Sequence, residues 1–314
     1  MSMPADARPA VLDGISEEWQ RDIIARYLDG ALSAEMTLMY CLLKTPNRHE
    51  IQAMLSSAIA ASTAAATVPH TALLTTLSSL AAENQDGCDR IAGMLRSGVD
   101  TDKPAASVEE GIAFCKRLFD WSVGQSAEAS VALYSLGNPA ILDAATAEIV
   151  HVMREWQVLG GARRLLEIGC GIGRFQKALA ADVLAVTGID VSANMIQAAR
   201  TRCAGCTNVT LQQCSGRDLA LFEPASFDVV YAVDSFPYLY QSGMPLVEKH
   251  FSEVRRVLKP NGDFLILEFS YRNDPDSDRR DVKRLAANAF DVLVDGTQPF
   301  SLWDGTAFHL RARP

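Results

Sequence analysis

Long apolar runs and positive charge are both scarce in these 314 residues. No window approaches the roughly 18 consecutive apolar residues that span a bilayer, so no membrane association is expected. The opening MSMPADARPA lacks the apolar core of an export signal, and the expected location is cytoplasmic. Lys and Arg number 29 against 38 Asp and Glu, for a formal net charge of −9. Nucleic acids draw their affinity from Lys and Arg that neutralise phosphates, so none is expected as a partner. The seven cysteines are an odd, scattered set, and without an export signal they read as reduced thiols. Cys203 and Cys206 form a C-x-x-C pair with Cys214 nearby, but no fourth ligand follows, so no metal is expected. No repeat of fixed period is present.

What remains is an ordinary globular composition, 48% hydrophobic and 21% charged, at a length of about two average domains. The two halves differ in pattern. From Ser16 to Gly160 apolar residues recur at spacings of three and four: Trp19, Ile23 and Tyr27; Met36, Met39, Tyr40 and Leu43; Leu73, Leu77 and Leu80. This predicts a helical bundle, with Ser16 and Ser107 as N-caps and with breaks at Thr45-Pro46 and Gly87. Residues 97–106 (SGVDTDKPAA) read as a linker. The expected division is a helical region over 1–105, a helical lid or connection over 106–160, and a ligand-binding domain over 161–314.

After Gly160 short apolar runs alternate with amphipathic helices, the pattern of βαβ units on a parallel sheet. Strands are expected at RRLLEIG, VLAVTGID, NVTLQQC, Phe227–Val233 and Asp263–Phe269. A helix from Pro245 to Leu258 should end at Pro260-Asn261-Gly262. The last two strands, Phe290–Asp295 and Ser301–Arg311, leave no room for a helix between them and should pair antiparallel.

The first strand runs into Glu167-Ile168-Gly169-Cys170-Gly171-Ile172-Gly173, with a helix immediately after. Glycines there let bare backbone approach a ligand at a helix N-terminus. Asp190 stands at the tip of the second strand, seventeen residues beyond Gly173, where a carboxylate can accept both ribose hydroxyls of an adenosine. A dinucleotide enzyme would use G-x-G-x-x-G, whereas this chain has G-x-G-x-G preceded by Glu167. A carboxylate at that place repels a pyrophosphate and suits an ammonium group.

With these residues the sequence resembles the class I S-adenosylmethionine (SAM)-dependent methyltransferases over roughly Leu142–Arg313. LLEIGCGIGR is similar to their first motif, TGIDVSANMI to their second, SFDVVYAVDSFPYL to their fourth-strand motif and EVRRVLKPNGDFLILE to their fifth strand and the helix before it. The resemblance implies a Rossmann-like α/β fold, a mostly parallel seven-stranded sheet with an antiparallel last strand, behind an all-helical N-terminal region. It implies SAM as cofactor and S-adenosylhomocysteine as product. Gly169, Gly171 and Gly173 would shape the turn under the methionine part and Glu167 would support its ammonium. Asp190 would hold the ribose, Val191 and Met195 would pack on the adenine beside Val233, and Ser215 and Gly216 would border it, with Asp218 capping the loop.

Methyl transfer from a sulfonium needs an in-line approach, and a base only where the acceptor must lose a proton. The loops beyond the fourth and fifth strands offer Asp234 and Tyr238 as catalytic candidates, with Ser235, Tyr271 and Arg272 on the acceptor side. Tyr134 is the expected lid contact, while His250, His309 and Trp303 read as structural. The expected acceptor is a small or medium-sized molecule methylated at O, N, S or C. A non-catalytic SAM-binding module and an NAD(P)-dependent oxidoreductase are the alternatives, and the N-terminal helices serve as a lid, a homodimer face or a docking element.

Overall fold

The computed structural model describes residues 11–12, 14–97 and 105–314. Residues 98–104 of the expected linker lie outside these. Two compact units result. The first comprises the described residues within Met1–Val99 together with Glu128–Leu142 and Ser301–Asp304, and the second those within Asp100–Ala127, Asp143–Phe300 and Gly305–Pro314. No helix among the described residues is long and apolar enough to cross a membrane.

The first unit is helical, as its periodicity predicts: Glu18–Leu28, Ala34–Lys44, Arg48–Ala64, Val68–Glu83 and Gln85–Arg96. Ser33 and Asn47 cap the second and third by accepting the Met36 and His49 amides, each at 3.1 Å. Three expectations need correction. Ser16 caps nothing: the helix starts after Glu17, and the Ser16 carbonyl instead takes the Arg21 guanidinium at 2.8 Å. Gly87 lies inside the first turn of Gln85–Arg96, where an added Cβ would sit 1.7 Å from the Leu136 carbonyl oxygen, so it allows close packing and breaks nothing. The break falls at Asn84, whose side chain donates to the Leu80 carbonyl at 2.9 Å. The buried faces are also rotated from the expected ones: Leu74, Leu77 and Ala81 are buried while Leu73 is 37% exposed, and Leu38, Cys41 and Leu42 are buried while Leu43 is 42% exposed. Both helices are apolar on more than one side, which blurs the period that marks a face.

The second unit is built on a seven-stranded sheet: β1 (Arg164–Ile168), β2 (Ala185–Asp190), β3 (Val209–Gln213), β4 (Phe227–Val233), β5 (Leu258–Leu267), β6 (Phe290–Thr297) and β7 (Ala307–Ala312), in the order β3-β2-β1-β4-β5-β7-β6. The first five run parallel, and β7 pairs antiparallel with both β5 and β6. The fold read from the sequence is therefore the fold found. One boundary differs: Pro260-Asn261-Gly262 does not stop the preceding helix but lies within β5, which begins at Leu258 where the helix Met244–Val257 ends. Phe227 pairs with Leu258 and Val229 with Asp263, so the extra residues bulge out of the ladder with Asn261 at φ 62°. The last strand starts at Ala307 rather than Ser301, because residues 301–306 run as a loop.

Central strands buried on both faces bear the continuous apolar runs that a parallel sheet requires. Phe264 on β5 meets Phe251 at 5.4 Å and Phe236 at 5.8 Å, ring centre to ring centre. Phe236 and Phe264 are fully buried, and each such side chain contributes roughly 1.5–3 kcal/mol. One residue before Phe264 in β5, the buried Asp263 accepts from His309 at 2.9 Å, Arg163 at 2.8 Å and Arg311 at 2.8 Å. Burial pushes this carboxyl up, but those three hydrogen bonds outweigh it and hold it below the usual carboxylate range. His309, stacked on Trp156 at 5.4 Å, is structural, as expected.

Candidate active site

The carboxyl ends of β1, β2, β4 and β5 meet where the strand order reverses, the place at which open α/β sheets bind ligands. The glycine turn between β1 and the helix Arg174–Leu179 lies there. Gly169, Gly171 and Gly173 all have positive φ, at 75°, 50° and 74°. A side chain on Gly169 would sit 2.5 Å from Ser235 Cβ, and one on Gly173 would sit 2.9 Å from Ala199 Cβ. Both positions therefore need glycine for shape as well as for φ.

Glu167, on β1, is 2% exposed. Gln176 Nε2 donates to its Oε2 at 2.6 Å and lies 3.5 Å from the Tyr231 hydroxyl. Burial pushes the Glu167 carboxyl up to about 8, against the opposing hydrogen bonds from Gln176 and Tyr231 and the charge of Arg174. Gln176 Oε1 is buried with no hydrogen-bond partner among the described residues. A carboxyl group and an orphaned amide oxygen thus stand together beneath the glycine turn, two acceptors suited to an N–H-rich cation.

Asp190 ends β2 and is 8% exposed. Its Oδ2 accepts the Gly171 amide at 2.9 Å and its Oδ1 the Ser192 amide at 2.9 Å. Burial raises its carboxyl to about 6, the two amides oppose that, and the nearby charge of Asp120 adds to it. A carboxylate has about four lone-pair sites, so these amides leave it capacity to accept a hydroxyl as well. Val191 and Gly216 touch: a Cβ on Gly216, whose φ is 74°, would lie 2.7 Å from Val191 and 3.2 Å from Ile112. Met195 is fully buried in the helix Ala193–Arg202, and Val233 is buried at the end of β4. Ser215 accepts the Arg217 amide at 3.2 Å and Asp218 the Ala220 amide at 3.2 Å, so both hydroxyl and carboxylate shape the loop.

The helix Val108–Gln125, started by Ser107 as its cap at 3.2 Å, packs across the helices Ala193–Arg202 and Phe236–Gln241. It brings Ile112, Cys115, Phe119 and Asp120 to the site. Sequence reasoning named none of these, nor Gln176. The available signals were Ser107 as an N-cap and the expected helical lid or connection over 106–160, which mark where the helix begins but not which of its side chains face the site.

Beyond β4, Asp234 has a left-handed backbone, φ 56°, and its Oδ1 accepts the Tyr271 hydroxyl at 2.6 Å. Tyr271 in turn hydrogen-bonds Tyr238, their rings perpendicular at 5.8 Å. Phe119 meets the other tyrosine edge-on at 4.9 Å. Burial and the charge of Asp234 push the Tyr238 hydroxyl well above its ordinary value, so it stays protonated at neutral pH. The remaining candidates are engaged elsewhere. The Ser235 hydroxyl donates to the Ile168 carbonyl at 2.7 Å. Arg272 reaches the Tyr240 hydroxyl, Asp278 and Asp281 at 2.7–2.8 Å. Tyr134 stacks on Trp303 at 6.4 Å within the helical unit. His250 is buried with Nδ1 on the Leu246 carbonyl at 2.9 Å, and burial lowers its pKa, consistent with a structural residue.

Residues 166–266 match the family described as "Methyltransferase domain". Demethylmenaquinone methyltransferase of Tropheryma whipplei (strain Twist) is 35% identical over 107 residues, covering 34% of this chain and 42% of that protein. The 2-methyl-6-phytyl-1,4-hydroquinone methyltransferase of Synechocystis sp. is 32% identical over 132 residues, covering 40% of this chain and 39% of that one. The chain spans less than half the length of these relatives. Among solved structures, phosphoethanolamine N-methyltransferase 1 of Haemonchus contortus superposes with a TM-score of 0.53 at 17% identity, over 66% of this chain and 50% of that one, a likeness of fold.

Proposed function

We propose, from the match of residues 166–266 to the methyltransferase domain family, that the chain is a class I SAM-dependent methyltransferase and transfers a methyl group to a small or medium-sized acceptor. The observation that carries this reading is the acceptor pair beneath the glycine turn, Glu167 and the orphaned Gln176 Oε1. A pyrophosphate would meet a carboxyl group there, whereas a methionine ammonium meets two oxygens. Gly169, Gly171 and Gly173 leave room for the methionine part, Asp190 takes the ribose hydroxyls, and Val191, Met195, Val233 and Gly216 border the adenine. SAM supplies an electrophilic methyl on a sulfonium whose departure needs no proton.

The chain's own work is then positioning and proton removal. Asp234 serves as the proton's destination. Tyr238 and Tyr271, held protonated, pass hydrogen bonds from the acceptor to that carboxylate and fix the acceptor's heading. Ser235 ties the loop after β4 to the end of β1, which keeps Asp234 beside the glycine turn. The test is to incubate the protein with methyl-labelled SAM and a cell extract, with Asp190→Ala as control. A labelled small-molecule product is expected from the wild type. The variant should lose measurable SAM binding, and unchanged affinity would refute the ribose assignment.

A further inference from the structure

Ser192 is fully buried between two acids. Its amide donates to Asp190 Oδ1 at 2.9 Å, its hydroxyl oxygen accepts the Met195 amide at 3.0 Å, and its hydroxyl proton goes to Asp120 Oδ1 at 2.6 Å. The same Asp120 oxygen accepts the Asn194 amide at 3.2 Å, and the Asp120 carbonyl accepts Asn194 Nδ2 at 2.8 Å. Asp120 belongs to the helix Val108–Gln125, so one residue fastens that helix, by side chain and main chain, to the N-terminus of Ala193–Arg202. The positive end of that helix dipole favours the carboxylate there.

The remainder of Val108–Gln125 is seated just as closely. Gly111 lies against Ser242, where a Cβ would approach its Oγ to 2.3 Å, and Cys115 hydrogen-bonds the same serine. Ile112 faces Val191 and Gly216, and Phe119 faces Tyr238. The helix therefore spans both the nucleoside side and the acceptor side of the strand ends. A ligand that sits on Asp190 beside Val191 and Gly216 lies next to this helix.

We infer that Asp120 is a positioning residue that latches the helix Val108–Gln125 over the bound nucleoside and sets the rate at which the cofactor exchanges. This rests on the reading of Asp190 as the ribose acid. Charge-assisted hydrogen bonds hold the latch, and their loss corresponds to about ten- to a hundredfold in an equilibrium. Two measurements test it in the full chain, on Asp120→Ala and on the milder Asp120→Asn, which keeps an acceptor for Ser192.

In the ligand-free protein, amide hydrogen exchange across residues 108–125 should rise at least tenfold in Asp120→Ala while β1, β2 and β4 stay protected. In stopped-flow experiments that follow intrinsic tryptophan fluorescence, to which Trp121 of this helix contributes, S-adenosylhomocysteine should both bind and leave about tenfold faster, with Asp120→Asn intermediate. Unchanged rates in variants that still bind S-adenosylhomocysteine would overturn the latch, as would an exchange increase spread over the sheet. If the wild type bound no S-adenosylhomocysteine, the cofactor reading would fall, and the exchange measurement would still decide whether Asp120 fastens the helix.

Discussion

Consider replacing Glu167 by Gln in the ligand-free protein. The buried Glu167 carboxyl holds its proton up to about pH 8, while in the unfolded chain it ionises near its ordinary value of 4.5. Between those values the native state carries a proton that the unfolded state has lost. The stability linked to this group is therefore complete below about pH 4.5 and declines as pH rises toward 8. The slope is about 1.4 kcal/mol per pH unit, so the wild type should lose about 2 kcal/mol between pH 6.5 and 8. Asp190 shifts the same way but only to about 6, and His250 titrates below its ordinary 6.5, which leaves that window to Glu167. Glutamine has the same shape, offers an oxygen to Gln176 and does not titrate. Urea unfolding in steps of half a pH unit should give a falling curve for the wild type and a nearly flat one for Glu167→Gln. Parallel curves would refute the reasoning. Added SAM should flatten the wild-type curve as well, because an ammonium beside Glu167 favours its charged form.

Two further substitutions probe other parts of the molecule. Asp263→Asn removes the negative centre shared by Arg163, His309 and Arg311, and should lower unfolding stability at pH 7 by roughly 3 kcal/mol, the low end for a buried ionic cluster because both arginines reach solvent. With a depressed native pKa, the wild-type advantage is full above the unfolded value near 4 and lost as pH falls through the native one; a difference that persisted unchanged at pH 2 would contradict this. Tyr271→Phe keeps the ring and cuts the link between Tyr238 and Asp234. If the acceptor's proton travels that way, turnover of the labelled product should drop on the order of a hundredfold with SAM affinity intact. A variant that turned over at the wild-type rate would remove Asp234 from the proton path.

Much of the sheet was legible in the sequence because buried parallel strands must be apolar throughout and the helices between them amphipathic. The bulge at Leu258–Gly262 was not, since Pro260-Asn261-Gly262 has the composition of a turn and only pairing with β4 makes it part of a strand. Glu167, the three glycines and Asp190 stood out because backbone geometry and charge restrict those positions to few residue types. Gln176, Ile112 and Asp120 did not. Their types are common on helices, and what distinguishes them is the strand end or helix terminus each one faces, which depends on how elements pack. The same holds for the rotated faces at Leu73 and Leu43, where apolar residues on several sides leave the choice of buried face to the neighbouring helices.

Asp234 and Glu268 follow the last residues of the adjacent strands β4 and β5, both with left-handed backbones at φ 56° and 70°. For residues with a β-carbon this conformation is unfavourable by about 1 kcal/mol or more each. A laboratory selection for heat resistance alone would drift toward glycine at both positions. Glycine at 234 would remove the carboxylate that receives Tyr271, and glycine at 268 the one that accepts the Thr306 amide at 2.8 Å. A variant hardened at position 234 should survive heating and turn over little, whereas at 268 glycine gives up the Thr306 hydrogen bond, so only the first corner sets durability against activity.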